Sequence, residues 1–306
     1  VESEIDLSTQ VITRPEVTPL PLAARLGDYV QLSRPKIGVM VLVTAWLGML
    51  LAGVAVESSA VVMMLVGTAL VTTGASAFNQ LAERRTDARM LRTENRPLPA
   101  GRLSIGEVFA FASFVTAAGL IVLALLPSGP AAALVAATTF VLYVFVYTPA
   151  KRRTWLNTFI GAVPGAMPPL IGWAAARGTL TLESLPLFAI LFFWQVPHFL
   201  AIAWIYRDDY RRAGLKMLPV HDAGGSRTLR TMVLHTLALI AASLWPLAYG
   251  AGWAYAAGAL ALGLIFLALV FRFGADRSVR TARAVLKMSL VYLPGVLLVL
   301  FVDRLI

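Results

Sequence analysis

Asn79, Glu83 and Asp87 stand at i, i+4 and i+8 in the stretch Asn79-Gln-Leu-Ala-Glu83-Arg-Arg-Thr-Asp87. On a continuous helix that spacing lines one face within three turns. Three oxygen-bearing side chains on one face suit a Mg²⁺ ion that keeps waters and takes its other ligands from substrate phosphates. Arg89, Arg92 and Arg96 follow, with Thr93 between them, before Pro97. Guanidinium forks beside a carboxylate-held cation make a diphosphate clamp. The plainer alternative is a helix end at a membrane surface with incidental ion pairs. Asn79 and Glu83 weigh against it, because they lie at the edge of a long apolar run, where polar groups are expensive.

Two further clusters have the right chemistry to join the first. One is Tyr147-Thr-Pro-Ala-Lys151-Arg152-Arg153-Thr-Trp-Leu-Asn157. A basic triplet closing an apolar run is ordinarily a topology anchor, and it gains catalytic weight only by facing the first cluster. The other runs from Trp194-Gln-Val-Pro197-His198-Phe199 to Tyr206-Arg207-Asp208-Asp209-Tyr210. Asp208 and Asp209 mirror Asp87 at the end of a second apolar run, so a pair of facing cation–diphosphate sites is expected. His198 lies about two turns inside that run. It is either hydrogen-bonded within a bundle or a partner for a metal-containing or carboxylate-bearing substrate. His221 and His235 belong to no supporting pattern. No Gly-rich phosphate loop, serine nucleophile elbow or His-metal spacing occurs.

The elements that must position these residues follow from composition. The chain has 306 residues, 58% apolar and 14% charged, and no cysteine. Its mean hydropathy is +0.77. Soluble domains run nearer about 45–50% apolar and about 25% charged, so a disordered chain, a disulfide-stapled module and an ordinary soluble enzyme are all excluded. Apolar segments long enough to cross a hydrocarbon core of roughly 30 Å recur near 37–56, 60–80, 106–126, 130–148, 157–176, 184–205, 229–248, 252–271 and 284–302. Uninterrupted runs exclude the alternation of a barrel, leaving helices. The expected fold is an all-α membrane bundle of nine spans, with no secretory signal peptide before the first. Pro164, Pro168 and Pro169 must break or kink the fifth span. Its glycines fit either a cavity wall or close helix packing. The last three spans carry almost no polar groups, which argues against an ion-coupled transporter.

The formal charge is +10. Of the 26 Lys and Arg residues, 24 fall before span 1 or in alternate connections, leaving Arg177 and Arg304 opposite. That asymmetry places the N-terminus in the cytoplasm and the C-terminus outside. Dispersal over five segments argues against nucleic acid as a partner. The longer connections lie on the basic side, where the chemistry is therefore expected. Residues 1–26 read as a polar, flexible cytoplasmic extension, and 27–306 as the membrane-embedded domain.

Three stretches carry a resemblance: Asn79–Gly101, Tyr147–Trp173 and Trp194–Val220. They contain R-T-x-x-R-P-L, K-R-R-T-x-x-N and P-H-F…D-Y-x-x-A-G-x-x-M-L-P-V. In these strings and in the nine-span layout, residues 27–304 resemble the UbiA-type membrane prenyltransferases, and within them the branch that farnesylates heme. The resemblance implies farnesyl diphosphate ionised with Mg²⁺ bridging it to Asn79, Glu83, Asp87 and Asp209. Arg92, Arg96, Lys151, Arg152 and Arg153 would take up the developing negative charge. The allylic cation would meet a vinyl group of heme B, and water would complete the side chain of heme O. His198 would orient heme, as an iron ligand or otherwise. The wider family carries a second D-x-x-x-D motif where this chain has Tyr206 and Tyr210 around Asp208 and Asp209, so the number of metal ions and the second-site ligands, Asn157 among the candidates, stay open. The implied setting is a bacterial-type plasma membrane with the active site on the cytoplasmic side, and a heme A synthase or oxidase assembly factor as recipient. A prenyltransferase for a quinone precursor or chlorin is the nearest alternative, and a non-catalytic transporter or assembly factor the more distant one.

Overall fold

In lipid a backbone N–H has no water to bond, so each apolar run closes its own hydrogen bonds as a helix. The computed structural model describes residues 22–304, and every regular element among them is helical. In chain order these are α1 (Leu22–Ser33), α2 (Pro35–Leu51), α3 (Ser58–Asp87), α4 (Ile105–Ala124), α5 (Gly129–Val141), α6 (Thr148–Arg153), α7 (Asn157–Gly165), α8 (Pro168–Arg177), α9 (Leu185–Ile205), α10 (Arg207–Arg212), α11 (Ser226–Leu244), α12 (Trp253–Asp276) and α13 (Val279–Asp303). Among the described residues eight helical segments are long and apolar enough to span a membrane, or nine where α1 and α2, bent by 48°, count as one broken span. The nine expected spans are all present as helix.

The first span differs from its expected form. Helix begins at Leu22, well before Ile37, and breaks at Arg34, which adopts φ 49° and ψ 62°. Proline at 35 explains the break, since its ring disfavours helical backbone in the preceding residue. Gln80 Nε2 donates to the Leu32 carbonyl at 2.9 Å, and Arg102 Nε bonds Asp28 at 2.9 Å, so α1 is tied to α3 and to the turn that follows it. The division at residue 26 lies largely outside the described residues. Its last five positions, from Leu22, form the start of α1.

The fifth span is broken as its prolines require: α7 ends at Gly165 and α8 restarts at Pro168. Close packing holds as well, because every residue from Pro168 to Ala175 is buried. A Cβ on Gly172 would lie 1.8 Å from the Ala45 carbonyl oxygen, and one on Gly48 would lie 2.0 Å from that of Pro169. Only bare backbone allows α2 and α8 to approach this closely.

The π-helical turn Leu142–Tyr147 between α5 and α6 bears directly on the site. One wide turn rotates every later side chain on the span, a device found often at functional sites. Thr148 Oγ1 donates to the Tyr143 carbonyl at 2.9 Å within it. The turn sets the direction in which α6 delivers its basic triplet.

Candidate active site

Helix α3 runs without interruption to Asp87, so Asn79, Glu83 and Asp87 share one face as their spacing predicts. That face is closed off: Asn79 is 0% exposed, Glu83 7% and Asp87 1%. Buried carboxylates survive only when paired, and each finds a cation, Glu83 from α6 and Asp87 from the connection that follows α3. Lys151 Nζ of α6 lies 2.8 Å from Glu83 Oε1, and it also sits 4.6 Å above the Tyr147 ring. Arg96 Nη1 donates to Asp87 Oδ2 at 2.7 Å. Asn79 Nδ2 donates to Thr148 Oγ1 at 3.0 Å.

After these bonds two oxygens remain. Asn79 Oδ1 and Asp87 Oδ1 are buried with no hydrogen-bond partner. An acceptor left bare in the interior costs about 1–3 kcal/mol, and a hard cation is a group that would satisfy such an oxygen. The donor chemistry of the α3 face therefore fits Mg²⁺. Among the described residues no group of three or more His, Cys, Asp and Glu side chains is placed to hold a metal ion, so a cation on the α3 face would take the rest of its ligands from water and diphosphate oxygens.

The second acidic cluster is arranged differently. In α10, Asp208 is exposed and pairs with Arg211 at 2.7 Å. Asp209 turns inward, its side chain 12% exposed, and pairs with Arg212. Arg92 connects the two clusters: its Nη2 donates to Tyr210 Oη at 2.8 Å, and its guanidinium lies 5.2 Å from the Tyr206 ring and 5.0 Å from the Tyr210 ring. The two tyrosines standing where carboxylates would complete D-x-x-x-D thus hold an arginine from the α3–α4 connection over α10.

Of the basic triplet, Lys151 enters the site, and Arg152 reaches Thr86 Oγ1 at 3.5 Å. Arg153 is exposed and makes no ion pair among the described residues. Asn157 is not at either carboxylate cluster. Its Nδ2 bonds the carbonyls of Thr154 at 2.6 Å and Lys216 at 2.7 Å, and Lys216 N bonds the Lys151 carbonyl at 2.8 Å. Asn157 anchors the loop after α10 to the end of α6.

The sequence reading gave Arg34 only a topological role. Its Nε is buried without a partner, and its charge acts on Arg96. Burial, then the charges of Arg34 and Arg92, hold the Arg96 guanidinium below its ordinary range against the pull of Asp87. The dipeptide Arg34-Pro35 signals a helix break, but nothing in it says where the freed side chain goes.

The family model described as UbiA prenyltransferase family matches residues 41–291. The chain belongs to that family. It is 43% identical over 295 residues to the protoheme IX farnesyltransferase of Solibacter usitatus (strain Ellin6076), covering 91% of this chain and 99% of the relative. It is 41% identical over 285 residues to that of Opitutus terrae (strain DSM 11246 / JCM 15787 / PB90-1), covering 92% and 96%. Among solved structures, digeranylgeranylglyceryl phosphate synthase matches with a TM-score of 0.76 at 17% identity, covering 92% of this chain and 98% of that one. A UbiA homologue from Archaeoglobus fulgidus bound to GPP and Mg²⁺ matches with a TM-score of 0.62 at 17% identity, covering 89% and 99%. At such identities the structural neighbours establish the UbiA fold.

Proposed function

We propose that this protein transfers the farnesyl group of farnesyl diphosphate to a vinyl group of protoheme IX, giving heme O and diphosphate. The observation that carries the diphosphate half is the pair of buried, unpartnered oxygens, Asn79 Oδ1 and Asp87 Oδ1, beside Arg96, Arg92 and Lys151. The identity of the acceptor rests on relatives called protoheme IX farnesyltransferase that align over nearly the whole chain.

Asn79, Glu83 and Asp87 would hold Mg²⁺, with Asp209 as a further ligand once it leaves Arg212. Bound there, the ion supplies Lewis-acid charge to the departing diphosphate. Lys151 and Arg96, each already within 3 Å of a carboxylate, shift their charge toward diphosphate oxygens as the allylic C–O bond breaks. Arg92 and Arg152 close the same anion from the side. Tyr206 and Tyr210 keep Arg92 in place, and Arg153 contributes only to the positive field at the surface. The farnesyl cation is attacked by the vinyl carbon pair, water adds to the carbon left electron-poor, and one proton is released. Apolar helix walls exclude bulk water until that step. His198 receives the porphyrin. The active site faces the cytoplasm of a bacterial-type plasma membrane, as the distribution of basic residues supports.

Purified protein incubated with farnesyl diphosphate, Mg²⁺ and either heme B or a hydroxybenzoate tests this directly. Mass detection of a farnesylated, hydrated heme is expected. Prenylation of the phenol alone would overturn the choice of acceptor.

A further inference from the structure

A hydroxyl has one hydrogen to donate, and at Ser289 of α13 it is already committed. Ser289 is fully buried, and its Oγ donates to the Leu286 carbonyl at 2.6 Å. A carbonyl oxygen only accepts, so the direction of this bond is fixed. The same Oγ lies 2.7 Å from Nδ1 of His198 on α9. With its hydrogen on Leu286, Oγ meets His198 as an acceptor, and Nδ1 must carry the proton. A neutral imidazole protonated at Nδ1 keeps its lone pair on Nε2.

The ring plane is held as well. Trp194, one turn earlier on α9, stacks on His198 with centroids 4.8 Å apart and planes 24° apart. Trp194 Nε1 in turn donates to the Ser289 carbonyl at 2.6 Å. One residue of α13 therefore fixes the tautomer of the imidazole and anchors the indole that stacks on it. Simple helix packing between α9 and α13 does not need an imidazole with one nitrogen engaged and the other unused.

Nε2 makes no hydrogen bond among the described residues. His198 and Ile202 on α9 and Tyr206, the residue that follows it, stand at i, i+4 and i+8, half-buried, half-buried and exposed in turn. Tyr206 carries Arg92, so this partly open stripe leads from the diphosphate-binding end to His198 over roughly 12 Å of helix rise. A prenyl acceptor must lie along such a path, with its bulk beyond the diphosphate.

Resting on the heme reading above, we propose that Ser289 is a positioning residue. Through its hydroxyl it holds His198 as the Nδ1–H tautomer, so that Nε2 ligates the iron of the porphyrin acceptor, and Trp194 sets the plane of the imidazole. A histidine that ligates a metal commonly donates its other ring N–H to an oxygen acceptor, and loss of that acceptor costs about 10–100-fold in affinity.

The test uses the full chain in detergent without farnesyl diphosphate, titrated with ferric protoporphyrin IX and, separately, with iron-free protoporphyrin IX. The wild type is expected to give the Soret shift and electron paramagnetic resonance signature of nitrogen ligation, and His198→Ala to lose both. Ser289→Ala should weaken binding of the iron porphyrin about 10–100-fold while leaving the iron-free porphyrin unaffected. Ser289→Thr, which keeps a hydroxyl, should restore the wild-type titration. If Ser289→Ala titrates like the wild type, or loses both porphyrins equally, the positioning role is overturned while the farnesylation reading stands. If the wild type forms farnesylated heme yet shows no nitrogen ligation, iron ligation by His198 falls with it. If no farnesylated heme forms at all, the failure lies in the proposed function.

Discussion

The two acidic clusters occupy matching places, each at the end of an apolar helix, yet the chain treats them in opposite ways. At the end of α3 the carboxylates are buried, and their cations, Lys151 and Arg96, arrive from α6 and from the connection after α3. On α10 each aspartate pairs with an arginine three residues along its own helix. The first arrangement exists only in the folded bundle, holds its charges at low dielectric and leaves two oxygens in want of a ligand. The second is local, wetter and self-satisfied. The pair is local and its arginine half-exposed, so Asp209 can leave Arg212 and turn to a cation without unmaking a contact between helices. On the proposed reading, one cluster is a prebuilt site and the other a contributor recruited when substrate arrives.

This contrast is open to attack, first where the expected effect is largest. Removing Mg²⁺ with a chelator, or replacing Asp87 by Ala, should lower turnover by about 10³-fold or more, with the protein still extracted as a folded helical species by circular dichroism. Normal turnover in either case would remove the α3 face from the mechanism. Next, Lys151→Met leaves Glu83 buried without its cation. A loss of about 3 kcal/mol of stability is expected from stranding that charge, read as a lower Tm in detergent, and the double variant Lys151→Met, Glu83→Gln should recover most of it. Asp209→Asn should cost less, about 10-fold in kcat/KM, with an unchanged Tm, because its ion pair is local. Asp208→Ala should change both by less than about twofold, being solvent-exposed and outside the site. Equal effects at Asp208 and Asp209 would erase the distinction between an inward and an outward aspartate.

Much of this was legible from residue types. The stripe on α3 followed from i, i+4 spacing alone, because a helix places those positions on one face whatever surrounds it. The break in the fifth span followed from Pro164, Pro168 and Pro169. The roles within the basic triplet did not follow. Lys151, Arg152 and Arg153 are equivalent as a string, and the π-turn of Leu142–Tyr147 decides that Lys151 alone enters among the carboxylates. Asn157 is a candidate second-site ligand by residue type alone; only the structure shows its amide nitrogen holding the Lys216 carbonyl while its Oδ1 stays buried without a partner. Ser289 was hidden for another reason, as a small hydroxyl in a span that also carries Lys287 and Tyr292. The signal that could have found it is the cost of a polar group at membrane depth.

By itself the sequence determined that the chain is a helical membrane bundle, where its spans lie and which of its ends are acidic. Those properties depend on hydrophobic length and helical period, both local to a segment. Only the tertiary structure decided which cation serves which carboxylate, that Asn79 meets Thr148 across a separation of 69 residues, and that Arg92 rests on the tyrosines of α10. Those partnerships depend on how helices cross and rotate against one another. Crossing is set where glycines let backbones touch, as Gly48 and Gly172 do, and rotation where a helix takes one wide turn before Lys151.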